Sequence, residues 1–323
     1  PILSFLRVPE EVWGGMREYL LIIFAGLLAT SLYNFFSCLL RALGNSTVPL
    51  VFLAVSAILN IAWDLLFVAV FQLGIAGAAY ATIFAQYVSG IGILLYVLFR
   101  CRSLFPERKD LCFDGGILKE IAGLSSLTCL QQSVMNFGIL MVQGLVNSFG
   151  ATTMAAFAAA VKIDTFAYLP VQDFGNAYST FIAQNYGAGN KERIRRGTKE
   201  SFAISTAFSL VISALVFAFA APLMQIFVSS AETAVIASGV RYLRIEGAFY
   251  FGIGCLFLLY GYYRAIKRAE MSVVLTVISL GIRVLLAYVL SATFLGETGI
   301  WMAIPIGWIL ADLTGLLYMR KTW

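Results

Sequence analysis

Histidine is absent from all 323 residues. Proton relays and metal sites built on imidazole are therefore excluded within this chain. Charge is scarce as well. Asp, Glu, Lys and Arg make up 12% of the residues, against about 25% in an ordinary soluble domain. The five cysteines show no metal-ligand spacing. Cys38, Cys129 and Cys255 lie in apolar spans and read as small packing residues; Cys101 and Cys112 lie in a loop. With no nucleophile–base pair and no metal cluster to be found, a membrane enzyme is excluded and no cofactor is expected.

What remains is apolar: 60% of the residues are hydrophobic and the mean hydropathy is +0.88. About 20 apolar residues at ~1.5 Å rise cross the ~30 Å of a bilayer's hydrocarbon. Runs of that kind occur at about 19–40, 48–71, 75–99, 120–147, 153–183, 201–228, 238–263, 271–294 and 298–319, nine in all. The fold class is therefore an all-α polytopic membrane protein. Residues 1–18 read as a short interfacial segment and loop. The spans at 120–147 and 153–183 are long and rich in polar and small residues, so bends are expected there, with Pro170 as the natural place.

The net charge is +5 and the pI near 9.0. The basic residues sit in loops, so they set topology and do not point to nucleic acid. Counting residues 1–18 as outside, the inside loops hold 16 of the 22 Lys and Arg, and the outside loops only Arg7 and Arg17. That asymmetry puts the C-terminus in the cytoplasm. The longest inside loop, 100–119, divides two lobes: 1–99 with three helices and 120–323 with six.

A shift of 223 residues brings Tyr19-Leu20 onto Tyr242-Leu243, Ile22 onto Ile245, Arg41-Ala42 onto Arg264-Ala265 and Asn60 onto Arg283. After a two-residue insertion, Gly74-Ile75 meets Gly299-Ile300. Both copies enter from the same side, so the repeat is parallel. Equal halves imply three further spans before Pro1, and the N-terminal part of the natural protein is expected to be missing.

The polar exceptions inside the spans carry the function. Asn60 and Asp64 are four apart and share one helix face. A charge at that depth costs roughly 2.5–3.5 kcal/mol on insertion scales, so it is seldom kept without a task or a partner. An amide oxygen beside a carboxylate can hold a small cation or an exchangeable proton. The plain alternative is a buried pair bonded to nearby backbone.

Gln132 with Asn136, and Gln143 with Asn147, polarise one span and read as a cavity-lining stripe, the alternative being glue between helices. Lys162 and Asp164, two apart, do not face each other. Asp173 lies about two and a half turns after Asp164 and reads as facing a similar side. These three residues form a polar interior near Pro170, suited to substrate or to a structural ion-pair network. A buried Arg283 must pair, with Asp164, Asp173, Glu246 or Asp312 as the available acids, in a structural or gating salt bridge.

The ordered set of motifs resembles the multidrug and toxic compound extrusion (MATE) family, in its DinF-like prokaryotic branch. It comprises Arg41-Ala42-Leu43-Gly44-Asn45-Ser46 before Pro49, Asn60 with Asp64, Gly74-Ile75-Ala76-Gly77-Ala78-Ala79, Thr82 and Gln86. The later part adds Gln131-Gln132, Asn147-Ser148-Phe149-Gly150 and Gln184-Asn185-Tyr186-Gly187-Ala188-Gly189. The resemblance implies nine of twelve helices in two six-helix lobes around a V-shaped cavity. It implies a monomer in the lipid bilayer that exports bulky, often cationic drugs against H+ or Na+. It assigns the cation or proton site to Asp64, Asn60 and Thr82, and cavity-lining roles to Asn34 and Ser37. Relatives with ion-binding carboxylates in the second lobe carry them on the seventh and tenth helices. Here Leu130-Gln131-Gln132-Ser133 and Phe249-Tyr250-Phe251-Gly252 offer no acid, so a second-lobe Na+ site is not expected. The alternatives are a lipid-linked oligosaccharide flippase of the same superfamily, which would need an Arg-lined cavity for pyrophosphate, and a truncated fragment that does not transport.

Overall fold

The computed structural model describes residues 10–102 and 112–322, and every regular element among them is helical. Arg7, Arg108 and Lys109 of the topology count lie outside the described residues, as do residues 103–111 of the 100–119 loop. The chain separates into two compact units, Pro1–Phe113 and Asp114–Trp323.

Unit 1 holds α1 (Glu10–Ala25), α2 (Leu27–Ala42), α3 (Thr47–Asp64) and α4 (Gly74–Arg100). A π-helical stretch, Leu65–Val70, continues α3. Helix begins at Glu10, within the segment expected to be interfacial. Together α1 and α2 form a single apolar run, Trp13–Ala42, interrupted only at Gly26. A small core of Phe36, Leu40, Ile93 and Val97 joins α2 to α4. Elsewhere the large apolar side chains point outward, which suits helices solvated by lipid.

Unit 2 holds α5 (Gly115–Asn147), α6 (Ala151–Gly187), α7 (Lys191–Phe227), α8 (Thr233–Gly247), α9 (Tyr250–Ala265), α10 (Ala269–Thr276), α11 (Ile282–Ser291) and α12 (Glu297–Thr322). A second π-helical stretch, Val277–Gly281, joins α10 to α11. Asp114 starts α5 by accepting from the N–H groups of Gly116 and Ile117, and Asn190 starts α7 by accepting from Arg193 N–H. The α8–α9 pair bends by 52° at residues 248–249. Among the described residues eight helices are long and apolar enough to cross a membrane, or nine if this bent pair is one span.

Helix α6 runs on through Pro170, where a bend is expected. Irregular backbone falls instead at Phe219 of α7, three residues before Pro222. A proline removes the hydrogen bond to the turn before it, which leaves that turn free to distort. Cys38 and Cys129, expected to pack, are exposed on helix faces, while Cys255 is half-buried.

Unit 2 has the larger core. Phe157 of α6 stacks on Trp301 of α12 at 5.4 Å, and the Tyr242 ring of α8 meets both edge-on. Close approach of α6 and α9 needs small residues: a Cβ on Gly261 would stand 2.6 Å from the Gly175 carbonyl oxygen. Ser179 Oγ donates to the Gly261 carbonyl beside it, 2.9 Å away.

The repeat is visible in the backbone. Helix α2 ends at Ala42 and α9 at Ala265, 223 residues later. The break after Ala25 in one copy answers the break after Gly247 in the other.

Candidate functional site

Two polar clusters lie within the membrane spans, one in each unit. In unit 1, Asp64 is the last α-helical residue before the π-helical stretch Leu65–Val70. Wide turns of this kind are rare and gather at functional sites, because the extra residue re-aims its neighbours. Asp64 is half-buried. No hydrogen bond or ion pair of its side chain is found among the described residues. Asn60, one turn earlier, is half-buried, and its buried Nδ2 has no hydrogen-bond partner among the described residues.

Thr82 lies on α4, which packs antiparallel to α3. Ser56 Oγ donates to the Ala85 carbonyl at 2.9 Å, and a Cβ on Gly77 would stand 3.1 Å from the Phe67 carbonyl oxygen. That register sets Thr82 at the level of Asn60, with Asp64 about one turn further along α3. Its hydroxyl donates to the Ala78 carbonyl at 3.0 Å, leaving its lone pairs free. Phe84 lies against Trp63 at 5.6 Å and Phe67 at 5.9 Å, an aromatic wall beside the polar group. Asn34 is exposed on α2, whereas Ser37 is buried with its Oγ unpartnered.

In unit 2, Asp164 is 4% exposed and Glu246 is 6% exposed. Tyr250 Oη donates to Asp164 Oδ1. Tyr242 lies beside both carboxyls, and the two carboxyls lie close to each other. Asp164 Oδ2 and Glu246 Oε2 have no donor among the described residues. Arg283 lies near enough to act electrostatically on both acids but, among the described residues, makes no ion pair with either, and its buried Nε has no hydrogen-bond partner there. The basic residue at the repeat position of Asn60 thus faces an acid pair.

The other positions disperse. Asp173 is exposed whereas Asp164 is buried. Nine residues at ~100° each are two and a half turns, which puts them on opposite faces, not the similar side expected. Lys162 is exposed, with Nζ over the Phe227 ring at 5.7 Å, and makes no ion pair among the described residues. Gln132 and Asn136 are both exposed on one face of α5, while Gln131 is buried. Gln143 Nε2 donates to Asn147 Oδ1 at 3.0 Å, so that pair satisfies itself.

Sequence reasoning placed Glu246 among the partners of Arg283 but did not find Tyr242 and Tyr250. The available signal was the i,i+4 spacing of Tyr242 and Glu246 within an apolar span. No group of three or more metal-ligating side chains occurs among the described residues.

Comparison with known proteins follows the same lines. The MatE family model matches residues 1–66 and 127–289. The chain is 33% identical over 322 residues to the probable multidrug resistance protein YpnP of Bacillus subtilis, covering 99% of this chain and 71% of that one. It is 27% identical over 323 residues to the probable multidrug resistance protein NorM of Thermotoga maritima, covering 97% of this chain and 68% of that one. A crystal structure of a mutant of the Vibrio cholerae MATE transporter VcmN matches the fold with a TM-score of 0.92 at 24% identity, covering 100% of this chain and 73% of that one.

Proposed function

The chain belongs to the MatE family, whose members are transporters and not enzymes, and from that premise we propose that it works as a secondary active multidrug exporter. Its substrates are bulky, often cationic organic compounds, and it exchanges them for H+ or Na+ by alternating access. It sits in a bacterial inner membrane with its C-terminus in the cytoplasm.

The observation that carries this reading is the state of Asp64. A carboxylate within a membrane span, without a fixed basic partner and next to an unpartnered amide, is free to take and release a cation. Asn60 and Thr82 supply the neutral oxygens around it. In the outward-facing state the ionised Asp64 takes a proton or Na+. Neutralisation removes its demand for solvation, and the π-helical stretch that begins at Leu65 is a segment able to retighten in response. The new shape disfavours bound drug, which leaves, and the emptied protein turns inward to reload. Coupling requires that cation and drug prefer different states, since a ligand with equal affinity for both shifts nothing.

A second coupling position is favoured by the Asp164–Glu246 pair. Two buried acids that share a proton can titrate as a unit, with Tyr242 and Tyr250 fixing their geometry and Arg283 limiting their charge. The flippase alternative gains no support: Arg283 is turned to these acids and Lys162 to a ring, so neither is disposed to hold pyrophosphate.

The test is drug efflux in membrane vesicles driven by an imposed H+ or Na+ gradient, comparing wild type with Asp64→Asn. The variant is expected to lose gradient-driven efflux while keeping its fold.

A further inference from the structure

Asp312 lies in α12 with 8% of its surface exposed, and neither cluster described above includes it. Its Oδ1 has no hydrogen-bond partner among the described residues. The thiol of Cys255 on α9 lies beside it. Oδ2 looks onto bare backbone, for a Cβ on Gly252 would stand 3.5 Å from it. Tyr260, further along α9, is close enough to feel its charge, but its hydroxyl meets that of Ser279 at 3.4 Å.

None of the described basic groups on the helices packed against α12 pairs with Asp312, and Arg244 on α8 lies over the Phe217 ring at 5.3 Å. Arg264 at the end of α9 donates to the Tyr260 carbonyl and to Asn176 Oδ1. Arg283 on α11 faces Asp164 and Glu246. Arg241 on α8 pairs with Glu297 at 3.6 Å. On α10 the acid Glu270 pairs with Arg268, and on α5 Lys119 is exposed while Glu120 pairs with Lys267.

An ionised carboxylate here would keep a single weak thiol donor and no countercharge, inside a membrane span. Thiols donate weakly, and the charged form is the one that burial penalises. We infer that Asp312 is a proton-binding site in its own right, separate from Asp64 and from the Asp164–Glu246 pair, and that the neutral acid keeps α12 closed on α9. The contact it serves is tight. A Cβ on Gly315, three residues further on, would stand 2.7 Å from Leu259 Cδ1 of α9. Removing the proton creates a charge that needs water, which a closed α9–α12 contact excludes. Opening of that contact is then tied to release of the Asp312 proton.

The inference rests on burial and partners alone, and infrared spectroscopy tests it without measuring export. Spectra of the full chain in lipid, recorded from neutral to alkaline pH, detect each protonated carboxyl by its C=O stretch. Wild type is expected to carry a band that is lost as pH rises. Asp312→Asn should lack that band entirely at neutral pH, and Asp164→Asn should retain it. Cys255→Ala should shift the same band, because the thiol donor is gone. If D312N and wild type have identical protonated-carboxyl bands at every pH, Asp312 is a fixed carboxylate and the inference fails. Should D312N not fold, Cys255→Ala decides: a shifted band supports the assignment and an unshifted set contradicts it. A loss of drug efflux in other variants leaves these spectra unchanged, so the two readings fail separately.

Discussion

Gly44 and Lys267 stand 223 residues apart and end equivalent helices with the same left-handed residue, at φ 86° and 61°. In each copy the next hydrogen bonds follow suit. Gly44 N–H donates to the Arg41 carbonyl and Asn45 N–H to that of Leu40; Lys267 N–H donates to Arg264 and Arg268 N–H to Tyr263. All four acceptor and donor positions keep the offset. This is the Schellman-type ending, in which backbone alone satisfies the last carbonyls of a helix. The parallel repeat is therefore carried by local hydrogen bonding, beyond the few identical residues that first suggest it.

The two copies fill the left-handed position differently, and this gives a stability prediction. Gly44→Ala adds a Cβ where φ is positive and should cost about 1 kcal/mol, with no new clash because the site is open. Lys267 already has a side chain there and holds Glu120 at 2.5 Å, an exposed pair of small worth. Unfolding in detergent is the check: Gly44→Ala should unfold earlier, and Lys267→Gly should unfold close to wild type.

The same comparison shows what the sequence makes legible. The spans were readable because lipid demands long apolar runs, and Asp64 with Asn60 stood out against that background. The first turns of α7, Lys191–Glu200, were not, because a charged helix end is invisible to hydropathy and is announced only by its cap, Asn190. The π-helical stretches at Leu65–Val70 and Val277–Gly281 leave no compositional mark. The bend at residues 248–249 contains no proline. The Asp164–Tyr250 bond joins residues 86 apart on α6 and α9, a pairing that periodicity within one helix does not reveal.

That bond should be energetically visible. Tyr250→Phe removes the donor to Asp164 and leaves a buried oxygen unpaired, at a cost of about 1–3 kcal/mol. Tyr178→Phe is the control. Its hydroxyl meets Thr198 Oγ1, which already donates to the Ile194 carbonyl, so the loss is that of a neutral bond, about 0.5–1.5 kcal/mol. Thermal unfolding of both variants in one detergent measures the difference, and Tyr250→Phe should be the less stable.

Arg283 and Glu246 should be coupled. Arg283→Gln alone leaves the Asp164–Glu246 pair without its countercharge and should destabilise unit 2. Glu246→Gln alone leaves Asp164 with a neutral amide donor and is milder. The double variant should recover part of the loss, with a coupling of about 0.5–3 kcal/mol expected for groups that interact directly. Additive effects in the full cycle would mean that the guanidinium and the acid do not sense each other.

Gradient-driven efflux by Asp64→Asn is the most direct measurement of the central claim, that one partnerless carboxylate in unit 1 is where the coupling ion binds. In vesicles with an imposed H+ or Na+ gradient, the wild-type chain should extrude a fluorescent organic cation, and the correctly inserted variant should fall to the background of empty vesicles. Efflux by the variant at the wild-type rate, still abolished by collapsing the gradient, would contradict the account.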